Sequence, residues 1–576
     1  MNTHKNTIDI PELTTHLRTL GPIRAIAKYF RAHQKSEHSD LIREIVTILN
    51  SEDAPSIDLY LDEALEELSG FEFFRIQRIL CELMMELHVD QDVLLNLTVK
   101  LIDFGGNDLA AGSPGVFFGE WSKHAKSRSQ EFYKEVSLNN NLAIRLLYNV
   151  LTANSDIEQA IRFSKNSDQD IKFAAMAALA SIDLGLQYEE TLTALLYNTS
   201  SDNDAVALRS LECSYAAAAR RKISAPEVFD EKLAFHLKNR TPEAIHLASK
   251  LLCHHRPGLS DFAIEICFDN IIHVNPSHTG TISNIDNALY QIISEGAFER
   301  AFCIMREIID SSQGKISFEN FCSAYHALQS SGTEILGNAI VFWLLNGGLY
   351  TCKSLANAVC TVGNKNPSFT VTASSIPLTP SEQIFLCHRA IGWFFMDPLA
   401  AIPIPLAILR HGSPDVKNEV MELIFNPLLM SYSGKLKEYI ENYASRNSEI
   451  NDLLTALLNR REQFNNSLEG IDQLVELHPS EMQLEIDRIR WDEKMRISMK
   501  QSRDKSILND ICTTQYILYG RSSLASVYTE TGAADLREVE MATISIETEL
   551  PLLNIIDPIS LDHMLRHFRI RDREMK

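Results

Sequence analysis

The segment Asp170–Gly185, DIKFAAMAALASIDLG, decides the fold class of this chain. Its apolar side chains recur at helical spacing, and five of its sixteen residues are alanine. Alanine has the highest helix propensity, and its small side chain lets a neighbouring helix approach closely. We therefore predict that this segment is one helix of a stacked helical array.

Helix pairs surround this segment on both sides. SDIEQAIRFSK precedes it, YEETLTALLYN and AVALRSLECSYAAAARRK follow, and APEVFDEKLAFHLKN and RTPEAIHLASKLLCHH come next. The turns into the second helices are marked by Asp168, Asp202 and Thr241, at spacings of 34 and 39 residues. This period is typical of solenoids built from two-helix repeats.

The pattern resembles HEAT and armadillo-like repeats, in which the second helix opens with an acidic residue, then a β-branched residue, then an alanine-rich face. The resemblance covers residues 156–255 and concerns architecture alone. It implies a superhelical array with an extended concave surface, and it names no function because such arrays serve many purposes. An irregular helical bundle is the alternative.

Composition also favours helices. The 576 residues include only 23 glycines and 19 prolines, and 45% of them are hydrophobic. Thr241, Thr379, Ser413 and Asp557 each precede a proline, which is typical of helix starts. Thr379 with Glu382, and Ser224 with Glu227, also fit the capping-box pattern. The predicted class is all-α: an α-α superhelical solenoid of two-helix repeats with a small C-terminal β/α cap or module.

Breaks in the pattern divide the chain into regions. Five glycines lie within GGNDLAAGSPGVFFG, residues 105–119, and VGNKNPSFTVTASSIPLTPS, residues 362–381, lacks a helical period. We predict four regions. Residues 1–104 form a helical region with an acidic tract, and residues 105–119 form a glycine-rich break. Residues 120–479 form HEAT-like repeats with a long loop at 362–381, and residues 480–576 form a long basic helix followed by a small β/α module.

The last region changes character. A helix capped by Ser480 and Gln483 meets no breaker before Ile511. The stretches QYILYG, SSLASVYTE and TISIETEL are then predicted to be strands. In TISIETEL the residues alternate with a period of two, which is typical of a strand. A final helix, DPISLDHMLRHFRI, ends the chain. These elements form either a cap over the last repeat or a separate module.

The net charge of −22 disfavours nonspecific binding of the whole surface to nucleic acid or anionic lipid. Charge is uneven along the chain. Residues 52–92 carry twelve acids and two arginines, and residues 488–505 carry seven basic residues and three acids. Either tract is a solvated face or a partner-binding patch, and the two could also join copies head to tail. The candidate partner-binding residues are Glu63, Glu66, Glu67, Arg490, Lys494 and Lys500.

We expect a cytoplasmic protein with no membrane segment. The N-terminal residues lack an apolar run after a basic start, so no signal peptide is predicted. The ten cysteines form no CxxC pair and lie in apolar helical runs, as reduced thiols do. Residues 390–409 have the length of a membrane span, but Asp397 and three prolines favour a buried helix–turn–helix.

Chemical motifs are scarce. The chain has no phosphate loop, dinucleotide fingerprint, HExxH or GxSxG motif. Six of the eighteen histidines lie within residues 236–278, so the weak metal-ligand candidates are His246, Cys253, His254 and His255. Their spacing does not match a structural zinc site, and satisfied polar groups are the simpler interpretation.

We therefore expect a non-enzymatic scaffold or adaptor that binds one or more proteins and needs no cofactor. Two alternatives remain open. One is a metal-dependent enzyme centred on residues 236–278, and the other is a nucleic-acid-associated subunit that uses the basic helix at 488–505.

Overall fold

A computed structural model of the chain describes the following residues: 10–32, 38–51, 65, 68, 70–201, 203–360, 367–467, 480–504, 522–528, 534–540 and 549–571. They form two compact units. Unit 1 holds residues 1–316 and 320–324, and unit 2 holds residues 317–319 and 325–576.

Unit 1 is built from helices. Their bounds are α1 Ile10–Thr19, α2 Pro22–Ala32, α3 His38–Leu49, α4 Gly70–Met84, α5 Gln91–Gly105, α6 Ser113–Lys123, α7 Lys126–Ser137, α8 Asn141–Asn154, α9 Ile157–Ser164, α10 Gln169–Ser181, α11 Tyr188–Thr199, α12 Asp204–Arg220, α13 Glu227–Leu237, α14 Pro242–His254, α15 Asp261–Ile271, α16 Thr279–Ser294 and α17 Phe298–Ser311.

Unit 2 is also mainly helical, and α18 belongs to it from Tyr325 onward. The bounds are α18 Cys322–Ser330, α19 Thr333–Asn346, α20 Leu349–Val359, α21 Pro380–Phe394, α22 Pro398–Ala401, α23 Pro403–His411, α24 Lys417–Leu423, a π-helix Ile424–Leu429, α25 Lys435–Arg446, α26 Asn451–Ser467, α27 Glu481–Asp504, β1 Ser522–Tyr528, β2 Ala534–Glu540, α28 Leu553–Ile556 and α29 Pro558–Ile570.

We call α8, α10, α12, α14 and α16 the second helices of the predicted pairs. They pack in chain order, because α8 contacts α10, α10 contacts α12, α12 contacts α14, and α14 contacts α16. Helix α9 packs on α10 and α11 packs on α12, each on the second helix of its own pair, whereas α15 packs on α14 of the preceding pair. The core between them is apolar, and Leu179, Leu211 and Leu251 are fully buried in it. Burying such a side chain contributes about 1.5–3 kcal/mol.

Polar side chains join neighbouring helix pairs of unit 1 near the C-terminal ends of α9, α11 and α15. The Asn198 amide donates to the Ser164 carbonyl oxygen at 3.1 Å, and a His236 ring nitrogen lies 3.1 Å from the Thr199 carbonyl oxygen. The Ser311 hydroxyl donates to the Ile272 carbonyl oxygen at 2.9 Å. These bonds link residues 34, 37 and 39 positions apart. Each therefore satisfies a carbonyl that the end of a helix leaves without an intrahelical partner.

Most of the predicted helix caps are present. Asp168 accepts hydrogen bonds from the backbone N–H groups of Asp170 and Ile171, and Thr241 accepts one from Ala244. The second helix between them is capped by Asn203. Asp202, the predicted marker, lies outside the described residues. Thr379 caps α21, because the Glu382 N–H donates to the Thr379 Oγ1 atom at 3.4 Å, and the Thr379 hydroxyl in turn donates to the Glu382 carboxylate at 2.8 Å.

The capping box predicted at Ser224 is wrong. Helix α13 follows Pro226, and its N-terminus has no side-chain cap. The Ser224 hydroxyl donates instead to the Leu259 carbonyl oxygen at 3.3 Å. Because the helix begins after Pro226, Ser224 lies two residues before the cap position, and its hydroxyl is oriented towards a residue distant in sequence.

The glycine-rich stretch 105–119 contains the end of α5, a short 3₁₀ turn and most of α6. Gly115 and Gly119, which we placed in a break, lie inside α6 against α8. A Cβ atom on Gly115 would fall 2.9 Å from the Asn149 Oδ1 atom, and one on Gly119 would fall 2.6 Å from the Asn149 carbonyl oxygen. Glycine is required there because the two helices approach closely.

Residues 390–409 are divided among α21, α22 and α23 in unit 2. Asp397 caps α22 by accepting from the N–H groups of Leu399 and Ala400, as expected for a buried helix–turn–helix. None of the described helices combines the length and apolarity needed to cross a bilayer.

The described part of the loop predicted at 362–381 packs against its own unit. Phe369 is buried, and the Thr370 N–H donates to the Thr333 carbonyl oxygen at the start of α19 at 3.0 Å. Gly337 of α19 lies directly under the Thr370 carbonyl group, where a Cβ atom would clash. This part of the loop is therefore a component of the core.

The C-terminal residues form several separate elements in unit 2. Strands β1 and β2 form an antiparallel pair in which Ser522 lies opposite Glu540. Strand β1 lies within the predicted SSLASVYTE, whereas QYILYG and residues 543–548 lie outside the described residues. The chain is otherwise all-α in its described part. Helix α29 packs on α21, where the Phe568 ring stacks on His388 with ring centroids 4.4 Å apart.

Candidate functional site

The alanines of α10 and α12 serve two purposes in unit 1. Ala175 and Ala178 are fully buried in the core. Ala174, Ala177 and Ala180 are half-buried and line a cavity at the surface of the second helices. Ala216 and Ala219 on α12 continue the same floor. The alanine pattern thus produces both close helix packing and an open surface.

This surface is a groove across consecutive second helices. One cavity of about 730 Å³ lies against α8, α10, α12 and the end of α14, and a second of about 470 Å³ lies against α10, α12, α14 and α16. The two cavities share the lining residues Phe173, Arg209 and Glu212. The two cavities are therefore adjacent, and we call them together the unit 1 groove.

An ion-pair network lies at the middle of the unit 1 groove. The Arg209 Nη1 atom donates to Glu212 Oε2 at 2.9 Å, and the Lys250 Nζ atom donates to Glu212 Oε1 at 3.1 Å. The Glu212 side chain is only 16% exposed. Burial alone would raise the pKa of Glu212, but the two adjacent cations outweigh it and hold that pKa below its usual value.

The network joins two layers. Arg209 and Glu212 are one helical turn apart on α12, whereas Lys250 is on α14. Two cations share one carboxylate, so the network keeps a net positive charge at the groove surface. Arg220 at the end of α12 adds another positive charge, and its Nη1 atom donates to the Ser181 carbonyl oxygen of α10. The groove is thus positive in a chain whose net charge is −22.

Three of the four metal-ligand candidates line this groove, whereas Cys253 is buried beside it. His254 and His255 line the larger cavity and His246 lines the smaller one. His246 Nδ1 lies 2.9 Å from the Thr281 Oγ1 atom, and His254 Nδ1 lies 3.7 Å from Cys253 Sγ. Among the described residues no group of three or more His, Cys, Asp and Glu side chains is arranged to hold a metal ion.

Burial shifts the pKa values of two histidines and one thiol that line the groove. Burial, reinforced by the nearby positive charge of Lys250, lowers the pKa of His246, and burial also lowers the pKa of His255. Burial raises the pKa of Cys213, which lines the larger cavity, to about 12. A thiol with that pKa stays protonated and is a weak nucleophile.

The charged candidates are placed elsewhere or lie outside the described residues. Glu63, Glu66 and Glu67 belong to a stretch that is not described. Arg490, Lys494 and Lys500 lie on α27, where nearly every side chain is exposed. Arg490 pairs with Asp487 at 3.5 Å, one turn earlier on the same helix. Two further ion pairs on α27, Arg488 with Glu485 and Arg496 with Glu493, offset part of its basic charge.

Sequence reasoning missed Arg209, Glu212 and Lys250 as a group. Arg209 and Glu212 are visible in sequence as a pair with i,i+3 spacing in a helix otherwise rich in apolar and small residues. Lys250 could not be added to them, because its position depends on how α14 lies beside α12.

No protein-family model matches the chain, and a search of curated proteins finds no match to it.

Proposed function

We propose that this chain is a non-catalytic protein-binding scaffold, built as a HEAT-like solenoid, whose unit 1 groove receives a segment of another protein. The observation that carries the proposal is the pair of adjacent cavities that together are lined by α8, α10, α12, α14 and α16. A surface that extends across successive layers suits a partner that is itself extended, such as a helix or peptide.

The chemistry of the lining supports binding over catalysis. Alanine and aromatic side chains form much of the larger cavity, and its buried carboxylate is occupied by two cations. An apolar surface with a few fixed polar groups is typical of binding sites. The thiol of Cys213 is held protonated by burial. No activated nucleophile is therefore available in the groove.

The solenoid interpretation is supported by layer-to-layer bonds in unit 1. Their offsets of 34, 37 and 39 residues fall in the range of the predicted repeat period. Packing of each second helix on the next one in sequence is also what a repeat array requires.

We further propose that residues 549–571 cap unit 2. The Glu549 carboxylate accepts from the Gly434 N–H at 2.7 Å and from the Lys435 N–H at 3.3 Å, at the N-terminus of α25. The Leu552 N–H donates to the Ser431 carbonyl oxygen at 2.9 Å. Helix α29 then covers α21. Residues 549–571 thus cover apolar surface on α21 and approach the N-terminus of α25, which is the role that a capping element has in a repeat protein.

Site-directed photo-crosslinking in the native host tests the groove proposal. A photoreactive phenylalanine derivative in place of Tyr148, an exposed aromatic side chain that lines the groove, reports on the groove without filling it, and the same residue at Glu131, exposed on α7, is the control. We expect discrete cross-linked proteins from position 148 that are absent from position 131. Identical patterns from both positions, or no adduct from position 148, would contradict the proposal.

A further inference from the structure

We infer that the partner segment received by the unit 1 groove is an acidic amphipathic helix. The inference rests on the proposed function, because it specifies the chemistry of what the groove binds. Charge, backbone hydrogen bonding and dimensions each support it.

The charge of the groove favours an acidic partner. Its lining holds Arg209, Arg220 and Lys250 against two carboxylates, those of Glu212 and Glu243. The chain as a whole has a net charge of −22. An acidic segment is therefore repelled by most of this protein and attracted to the groove, which is the arrangement that selects a partner and guides its association.

The groove also offers donors to such a segment. In the described structure Glu212 receives one bond from Lys250 Nζ, which carries three N–H groups, and one from Arg209, whose guanidinium carries five. Both cations are about one-third exposed, with side-chain exposures of 33% and 34%. Carboxylates of a partner can thus approach them without displacing Glu212.

Backbone chemistry favours a helix over an extended peptide. The groove is formed by the sides of helices, whose backbone N–H and C=O groups bond within each helix. An extended segment would find no backbone partners there, and its own polar groups would be left unpaired when buried. A helix satisfies its backbone internally. The alanine floor formed by Ala174, Ala177 and Ala216 lets such a helix come close.

The dimensions set the length of the segment. Packed helices lie about 8–10 Å apart, so the step from α10 through α12 to α14 spans about 16–20 Å. A helix rises about 1.5 Å per residue, so roughly 11–13 residues cover this distance. The segment therefore has three to four helical turns, with an apolar stripe on the alanine floor and acidic residues beside it.

A random library of 16-residue peptides displayed on phage, selected against the full-length protein, tests the inference. We expect the selected peptides to be enriched in Asp and Glu, to carry apolar residues at helical spacing and to gain helicity when bound. Binding should weaken about tenfold for Arg220→Glu, an exposed position, and should decline as salt is raised. Lys238→Glu, exposed outside the groove, is the charge-matched control and should bind within about twofold of the parent.

Groove-filling variants separate the two proposals. Ala177→Trp, with Ala216→Trp as a second version, should abolish binding of the selected peptides while circular dichroism and thermal melting stay close to the parent. Peptides that depend on the groove but carry no acidic enrichment, or that bind Arg220→Glu as well as the parent, would refute the acidic helix and leave the groove as a binding surface. Peptides that bind both tryptophan variants as tightly as they bind the parent, or a library that yields no binder, would refute both proposals.

Discussion

Gly119 lies so close to the backbone of Asn149 that a Cβ atom at position 119 would fall 2.6 Å from the Asn149 carbonyl oxygen. The contact joins α6 to α8, and the side chain of Ala153 is also within 3.1 Å of that position. Backbone cannot move aside as a flexible side chain can. The distance between these helices is therefore set by the absence of a single methyl group.

We expect Gly119→Ala to destabilise the α6–α8 contact by about 1–2 kcal/mol, since overpacking outweighs the gain in helix propensity. Native-state hydrogen exchange of α6 and α8 measures the local free energy of opening. Gly112→Ala is the matched control. No atom lies within 4 Å of its added Cβ atom, so a change of less than about 0.5 kcal/mol is expected there. Equal effects of the two substitutions would show that close approach is not the cause.

Glu212→Gln should destabilise unit 1 by about 1–3 kcal/mol, because Arg209 and Lys250 would remain near each other without a compensating charge. Thermal melting and urea unfolding measure the change. Glu131→Gln, exposed on α7, should lie within about 0.5 kcal/mol of the parent. Adding Arg209→Gln to Glu212→Gln should cost less than the sum of the single changes, since the three groups act together. Additive effects would indicate that the network is energetically unimportant.

The docking of α29 should weaken in acid. Burial, with help from the positive charges of Arg571 and His567, lowers the pKa of His388 to about 4, against about 6.5 in an unfolded chain. His388 Nδ1 accepts from Arg571 Nη1 at 2.8 Å, which requires the neutral ring. The stabilising contribution is thus complete above about pH 6.5 and is lost as the pH falls towards 4. It amounts to at most about 3 kcal/mol.

Hydrogen exchange of α29 across this pH range, corrected for intrinsic rates, measures the effect. His388→Gln keeps an acceptor for Arg571 but cannot titrate, so its α29 should be less protected at neutral pH and should lose little more protection in acid. A parent protein whose α29 protection is constant from pH 7 to pH 4 would disprove the assignment to His388.

Protein purified without added metal should carry well under one equivalent of zinc. His246 and the His254–Cys253 pair make hydrogen-bond contacts, and no ligand triad is found among the described residues. Elemental analysis measures the content, and a chelator should leave the melting temperature unchanged. Stoichiometric zinc that disappears in His254→Ala would instead favour a metal-dependent site.

Triple reversal of Arg490, Lys494 and Lys500 to Glu should leave the melting temperature unchanged. All three side chains are exposed on α27, and substitutions at such positions usually change stability by less than about 0.5 kcal/mol. Differential scanning fluorimetry measures this. If the basic helix is a partner-binding patch, the variant should associate more slowly with its partner and with a weaker salt dependence. An unchanged association rate would place the interface elsewhere.

Local signals predicted the helices well because they act within one turn. Thr241 and Thr379 cap their helices as their sequence patterns indicate. Ser224 fits an equally good pattern, yet its hydroxyl donates to Leu259, 35 residues away. Gly119 shows a different ambiguity, since glycine suits both a chain break and a close helix contact. Which use applies depends on what lies opposite, and a single sequence does not contain that information.

The groove was harder to predict for the same reason. Ala177 and Ala178 are neighbours of the same type, but the first lines the groove and the second is in the core. Successive side chains on a helix point about 100° apart, so Ala177 and Ala178 face different surroundings. The sequence does not show which of the two directions a neighbouring helix covers. That choice, and the meeting of Lys250 with Glu212, arise only when α14 packs beside α12.

The bond from Arg569 Nε to the Gly392 carbonyl oxygen, 2.6 Å long, joins residues 177 positions apart. On a ribosome adding about 5–20 residues per second, roughly 10–35 s separate the synthesis of these two partners. During that interval the surface of α21 that α29 covers remains exposed, because α29 has not yet been synthesised. Nascent chains of this protein should therefore need protection from aggregation until α29 has been synthesised. A stop codon at position 557, which removes α29, should yield a chain that exposes this surface of α21 and aggregates or is degraded more readily than the parent.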